Sequence, residues 1–209
     1  MQLKNSIFHV CMLMSAAFVA PLAPSSSIKV LHQFSQSDGC YPLAPVAHQN
    51  GNLYGVTREN SNTNGTIYKV KEDGTVETIY HSPDTWFATF PPPIMDTQGR
   101  IYGMGKSPLR EQHSYREIMY QYDIATNSTI GLSLPKYPAF DCADLTVGPD
   151  DSVYCADVSA GYSLGAIIKK SADNHLSIVH TFSNYTYFGD STTSVSLRND
   201  TLYAINSDG

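Results

Sequence analysis

Three groups of side chains have the types and spacing for chemistry. The first is aromatic: Tyr41, Trp86, Phe87, Phe90, Tyr137, Phe140, Tyr162, Tyr187 and Phe188 fall in turn-rich stretches between the regularly patterned ones. Rings so placed suit a pocket for a sugar or a flat apolar ligand. The competing reading is packing between neighbouring elements, about twice as common for any one ring. The second group is charged: Arg110, Glu111, His113, Arg116 and Glu117 crowd one stretch. A His beside Glu and Arg is suited to acid–base work, but a solvated, salt-bridged loop uses the same residues, and that is the favoured reading. The third is Asp38, Asp141, Asp144, Asp157 and Asp190, at comparable places along the chain. Carboxylates around a channel can hold Ca²⁺. No Asp-x-Asp-x-Asp spacing accompanies them, and Asp also caps turns through its own backbone. Neither a metal nor a cofactor is expected. No Gly-x-Ser-x-Gly or phosphate loop occurs, and Gly103-Met104-Gly105 lacks a third glycine.

What must position these groups is a repeat. Leu53-Tyr54-Gly55 returns as Ile101-Tyr102-Gly103, Val153-Tyr154-Cys155 and Leu202-Tyr203-Ala204, with tyrosines 48, 52 and 49 residues apart. Each copy follows a turn: Asn50-Gly51, Gln98-Gly99, Asp150-Asp151 and Asn199-Asp200. Asn50-Gly51 and Asp73-Gly74 read as tight hairpin turns, because both residues tolerate φ > 0. Alternation across Ile67 to Glu72 marks a half-buried antiparallel strand. A strand over 43–48 precedes the first turn, so the unit is a four-stranded antiparallel meander. Such units at a period near 50 residues are the signature of propeller blades.

The expected fold is therefore all-β, a β-propeller-like array of four-stranded blades. Blades run over 43–79, 93–130 and 144–182, and 193–205 supplies two strands of a fourth. A lone strand over 28–34 matches the fourth strand of a blade, because Leu31-His32-Gln33-Phe34 parallels Val179-His180-Thr181-Phe182. Repetition thus explains His32 and His180. The array is about three and a half blades and incomplete as read. An edge left open near Asn206–Gly209 offers a route to self-association.

Leu31-His32-Gln33-Phe34, Asp38-Gly39, Pro42, Gly51-Asn52-Leu53-Tyr54-Gly55, Gly65-Thr66-Ile67-Tyr68-Lys69-Val70 and Asp73-Gly74-Thr75 together resemble the GloVer-type tandem repeat of secreted proteins. The match is close over 28–80. Further on, Tyr120-Gln121-Tyr122-Asp123 and Ala125-Thr126-Asn127 depart from it. The resemblance implies a β-propeller-like repeat fold on an extracellular protein and brings no catalytic residues.

Elsewhere the chain reads as secretory. An apolar run over 7–20, preceded only by the charge of Lys4, is too short to span a bilayer and is read as part of a signal peptide over 1–25, with the repeat domain over 28–209. No later segment is apolar enough to cross a membrane. Four sequons, at Asn64, Asn127, Asn184 and Asn199, lie in expected turns or loops and read as glycosylation sites. Cys142 and Cys155 flank the hairpin turning at 149–151 and are expected to form a disulfide, leaving Cys40 without a partner. The net charge of −6 supplies no basic stripe for nucleic acid.

Meander geometry puts short turns on one side and long loops on the other, where binding usually sits. The candidate ligand-binding residues are Trp86, Arg110, His113, Tyr115, Asp141 and Asp157, all assigned to long loops. The leading reading is a secreted, glycosylated binding protein engaging a small molecule, glycan or extracellular partner. Two rivals stand beside it: a propeller-fold lyase, isomerase or cyclase of a secretory-pathway metabolite route, whose catalytic residues have no motif here, and a truncated paralogue without function.

Overall fold

The computed structural model describes residues 30, 32–35, 39–48, 50–58, 65–82, 86–87, 91–108, 115–133, 142–157, 165–182 and 192–206. The expected signal peptide lies outside them. Among the described residues there is no helix, and none is long and apolar enough to cross a membrane.

Among the described residues sixteen strands form four antiparallel sheets. Sheet 1 holds β1 (Cys40–Pro42), β2 (Val46–Ala47), β3 (Leu53–Arg58), β4 (Thr66–Val70) and β5 (Val76–His81). Sheet 2 holds β6 (Trp86–Phe87), β7 (Ile94–Met95), β8 (Arg100–Pro108), β9 (Tyr115–Asp123) and β10 (Ser128–Leu132). Sheet 3 is β11 (Cys142–Val147), β12 (Val153–Asp157), β13 (Ala166–Lys170) and β14 (Leu176–Thr181), and sheet 4 is β15 (Thr192–Arg198) with β16 (Thr201–Asn206). The four-stranded meander holds, with its first row broken in two. Both β1 and β2 pair with β3, and both β6 and β7 pair with β8. Proline is the cause. Pro42 and Pro45, and then Pro91, Pro92 and Pro93, carry no amide N–H for the ladder, so pairing lapses around them. The Leu43 amide nevertheless donates to the Val56 carbonyl at 2.9 Å, which holds the gap in sheet 1.

The sheets stack in chain order, because β-alternation gives each one two apolar faces. Tyr54, Val56 and Ile67 of sheet 1 pack with Ile101, Tyr120 and Tyr122 of sheet 2. The opposite face of sheet 2, with Tyr102, Met104 and Met119, packs with Leu145, Cys155 and Ile168 of sheet 3. Ala156 and Ile167, on the other face of sheet 3, meet Val195 of sheet 4, with Phe182 and Leu202 alongside. Glycine permits one recurrent contact. The side chains of Tyr68 and Tyr120 lie against the paired Gly55 and Gly103, where a Cβ would sit 2.3 Å from the nearest tyrosine atom in both cases.

The turns at Asn50-Gly51 and Asp73-Gly74 are tight, with positive φ only at Gly51 (82°) and Gly74 (84°). Gly74 N–H donates to the Lys71 carbonyl and Lys71 N–H to the Thr75 carbonyl, so a regular turn is followed by one left-handed residue. The turn at Asn199-Asp200 does take positive φ at both residues, 47° and 59°. Of the lone strand expected over 28–34, the described residues 30 and 32–34 are in no strand, and 28, 29 and 31 lie outside the described residues. Phe34 instead sets its ring edge-on to Tyr68 at 4.9 Å. The paired His32 and Phe34 rings meet at 4.7 Å, as do those of His180 and Phe182, so the repeat position of both histidines is structural.

Candidate functional site

The sheets have two chemically different ends. At one end lie the tight turns; at the other the chain enters the long connections, most of which are outside the described residues. The candidate binding residues belong to the second end, but three of them stand in strands. Trp86 is in β6, opposite Lys106 of β8, and Lys106 in turn faces Glu117 of β9. Tyr115 opens β9, opposite Pro108, two rungs further along. Asp157 ends β12, in register with Cys142 and Ala166. Assigning Trp86, Tyr115 and Asp157 to loops is therefore corrected. Strands β8 and β9 extend beyond the repeat core, which shortens the connection between them to residues 109–114. Register brings Trp86 and Tyr115 to the loop end of sheet 2, and Asp157 occupies the same end of sheet 3. Arg110, His113 and Asp141 lie outside the described residues.

Asp157 is buried, at 5% exposure. Its repeat counterpart in sheet 1 is Thr57, also buried, whose hydroxyl lies 2.6 Å from that of Thr66 on the next strand. Loop ends of the strands therefore bury small polar groups. Asp144, another carboxylate weighed for a metal, is committed elsewhere. Its Oδ2 accepts from the Ser194 hydroxyl at 2.7 Å and from the Val195 amide at 3.0 Å, fastening sheet 4 to sheet 3.

The densest charged cluster among the described residues is at the tight-turn end, between sheets 2 and 3. Asp96 is enclosed, and its carboxylate accepts four hydrogen bonds: from the amides of Gln98 (3.0 Å) and Arg100 (2.9 Å), from Arg100 Nε (2.6 Å) and from the Tyr102 hydroxyl (2.8 Å). Lys170 of β13, with 0% exposure, donates from Nζ to the Tyr102 oxygen at 3.0 Å and sits 4.7 Å from the centre of that ring. Asp151 accepts from both the amide (3.0 Å) and the hydroxyl (2.9 Å) of Thr97, and lies 4.0 Å from Arg100. Desolvation, with the Arg100 charge adding to it, lowers the affinity of Lys170 for its proton. Desolvation and then the Asp96 carboxylate raise the Tyr102 hydroxyl above its ordinary value. Closed off from solvent, this amine has no route to a substrate; the cluster joins two sheets.

The sequence reading did not single this cluster out. Its signal was in the repeat itself. Asp96 replaces His48 and Gly148, Arg100 replaces Asn52 and Ser152, and Lys170 replaces Val70 and Tyr122. Three charges at positions where the sister repeats carry none had to find one another.

The disulfide joins Cys142 of β11 to Cys155 of β12, with Cα atoms 5.5 Å apart, as the hairpin spacing predicts. Cys40 carries a free thiol. Of the sequons, Asn127 and Asn199 are exposed in tight turns, and Asn64 and Asn184 lie outside the described residues.

No family model matches the chain, and no curated protein matches it. Among solved structures it is similar to the extracellular domain of a hybrid two-component system from B. thetaiotaomicron, with a TM-score of 0.52 and 10% identity. The likeness covers 84% of this chain and 21% of that one, so this chain spans about a fifth of the other's length. At that identity the likeness is one of fold.

Proposed function

We propose that this protein is a secreted, glycosylated binding protein of β-propeller-like architecture, with a GloVer-type repeat, that engages a small molecule, glycan or extracellular partner through the loop end of its sheets. The observation that carries the reading is the strand register that brings Trp86 and Tyr115 to one end of sheet 2, with Asp157 at the same end of sheet 3. Aromatic and acidic groups at the ends of rigid strands, away from the tight turns, are what a sugar or amphipathic ligand requires. Secretion draws support from the apolar N-terminal run, from the disulfide, which persists in oxidising compartments, and from an extracellular domain among structures of similar fold. The propeller reading draws support from three successive sheets of four rows, each packed on the next.

The test is a substitution measured two ways. The secreted protein is screened against immobilised oligosaccharides, and Trp86→Ala is compared with the parent. Removing one ring from a ligand contact is worth roughly 1.5–3 kcal/mol, so affinity should fall about tenfold or more with the melting temperature unchanged. Tyr54→Ala, which empties a buried site between sheets 1 and 2, should instead cost about 3–5 kcal/mol of stability. A Trp86→Ala protein that melts as early as Tyr54→Ala and binds like the parent would place the ring in the core and end the assignment.

A further inference from the structure

The first row of sheet 1 displays an aromatic ring on a strained backbone. Cys40 pairs with Arg58 and Pro42 with Thr57, so Tyr41 is the extra residue of a β-bulge at the loop end of the sheet. Its φ is 54°, a left-handed conformation that a bulky residue rarely adopts. The bulge alone does not demand it. Sheet 3 carries a bulge one rung nearer its middle, between Cys142 and Asp144, and the extra residue there, Ala143, does not take a positive φ. Burial does not demand it either, for Tyr41 is 67% exposed. Over the Tyr41 ring lies the guanidinium of Arg58, 5.7 Å from the ring centre. Strain of this kind gathers where a ligand is held.

The combination of cation and ring recurs on the next sheet. Arg58 and Lys106 each stand four residues on from a repeat tyrosine, Tyr54 or Tyr102. Each meets the first row at an aromatic residue: Arg58 at the Tyr41 bulge, and Lys106 directly opposite Trp86. Cα atoms of β3 and β6 approach within 8 Å, so the two places adjoin. The two cations have different neighbours across the ladder. Glu117 stands opposite Lys106, whereas Cys40 stands opposite Arg58. We infer that this end of sheets 1 and 2 takes a carboxylated saccharide, of the uronic- or sialic-acid type, with Tyr41 against the sugar ring and Arg58 on the carboxylate. A planar guanidinium offers a carboxylate two parallel hydrogen bonds, which a lysine ammonium does not. The bulge sets the ring beside the cation before any ligand arrives, as a preorganised site requires. The net charge of −6 gives the molecule as a whole no attraction for anions, so the recognition is local. This inference rests on the reading of the loop end as a ligand site and adds the charge of the ligand.

The test titrates the secreted protein with uronate-bearing and sialate-bearing oligosaccharides, each as the free acid and as its methyl ester. The ester keeps the sugar and removes the charge. The parent should bind one of the acids about tenfold or more tightly than its ester, and which acid it binds separates the two sugar types. Arg58→Gln should abolish that preference and leave affinity for the ester unchanged. Tyr41→Gly should weaken acid and ester alike, about tenfold. It should do so without lowering the melting temperature, because glycine takes a φ of 54° freely. Acid and ester bound equally overturn this inference and leave the binding reading standing, as does binding confined to neutral oligosaccharides. Absence of binding to every acidic and neutral saccharide overturns both. A Tyr41→Gly protein that melts earlier and binds like the parent makes the ring structural and overturns the inference as well.

Discussion

The seam between sheets 1 and 2 and the seam between sheets 2 and 3 are built at the same repeat positions from opposite chemistry. In the first, Tyr54 and Tyr122 share a buried cluster, Tyr80 meets Tyr122 with ring centres 5.2 Å apart, and His48 packs on Tyr54 at 5.7 Å. In the second, Lys170 stands where Tyr122 stood, Asp96 where His48 stood, and Arg100 where Asn52 stood. One seam is rings on rings; the other is an ionic knot around a single ring. The repeat specifies that two sheets meet and leaves open how. An apolar seam tolerates loss of a polar partner, because little depends on it. An ionic seam has already lost the hydration of its charges and relies on every remaining bond.

The largest effect should come from Asp96→Ala. It deletes the acceptor of four hydrogen bonds and leaves Arg100 without the carboxylate 2.6 Å from its Nε. Breaking a buried ion cluster by removing one partner costs about 3–5 kcal/mol, a fall in melting temperature on the order of 10 °C for a chain of this size. His48→Ala, at the matching position of the apolar seam, should cost about 1 kcal/mol. Thermal unfolding of the two variants side by side measures the difference between the seams, and equal losses would erase it.

How far the sequence reached follows the same division. Tyrosines near a 50-residue period announced the sheets and the disulfide hairpin, because alternation and turn residues are local signals. The prolines that split the first rows, Pro42, Pro45 and Pro91 to Pro93, were in plain view, but their effect depends on which ladder they interrupt. Trp86 and Tyr115 read as loop because the sequence around them lacks the alternation that marks a strand. The ionic knot was invisible to local reading, since Asp96 and Lys170 are brought together only by sheet stacking. Of the six candidate residues, the strand register locates Trp86, Tyr115 and Asp157 at one end of the sheets; nothing in local patterning distinguishes a ring that binds from one that packs.

A middle-sized effect should appear in alkali, and through Tyr122 it weighs on the apolar seam. Burial pushes the Tyr68 and Tyr122 hydroxyls up to about 12 from 10. The unfolded chain therefore releases these protons first. The stability they contribute is whole below pH 10 and is lost as pH rises from there towards 12, at about 1.4 kcal/mol per pH unit for each tyrosine. Denaturant midpoints at pH 9 and pH 11 should fall accordingly. Tyr122→Phe should make the fall shallower, and an unchanged slope would show that Tyr122 is not shielded as described.

The smallest net effect should come from Lys170→Met, and it isolates the cost of the ionic seam. The substitution keeps the length of the side chain and removes a wholly buried ammonium whose described partner is the Tyr102 oxygen. Tyr102 keeps its bond to Asp96, so no carboxylate is stranded. Replacing a buried charge by an apolar group of similar volume is often neutral or stabilising, so the change near neutral pH should stay within about 1 kcal/mol. The pH dependence provides the sharper readout. The proton affinity of Lys170 is lowered by folding, so the penalty is full while both states hold the proton and is relieved as pH climbs towards the unfolded lysine value near 10.4. The parent should therefore gain stability over that approach, before the tyrosines begin to titrate, and Lys170→Met should lack the gain. If both proteins follow the same curve up to pH 10, Lys170 carries no desolvation penalty and the two seams differ in composition but not in energetics.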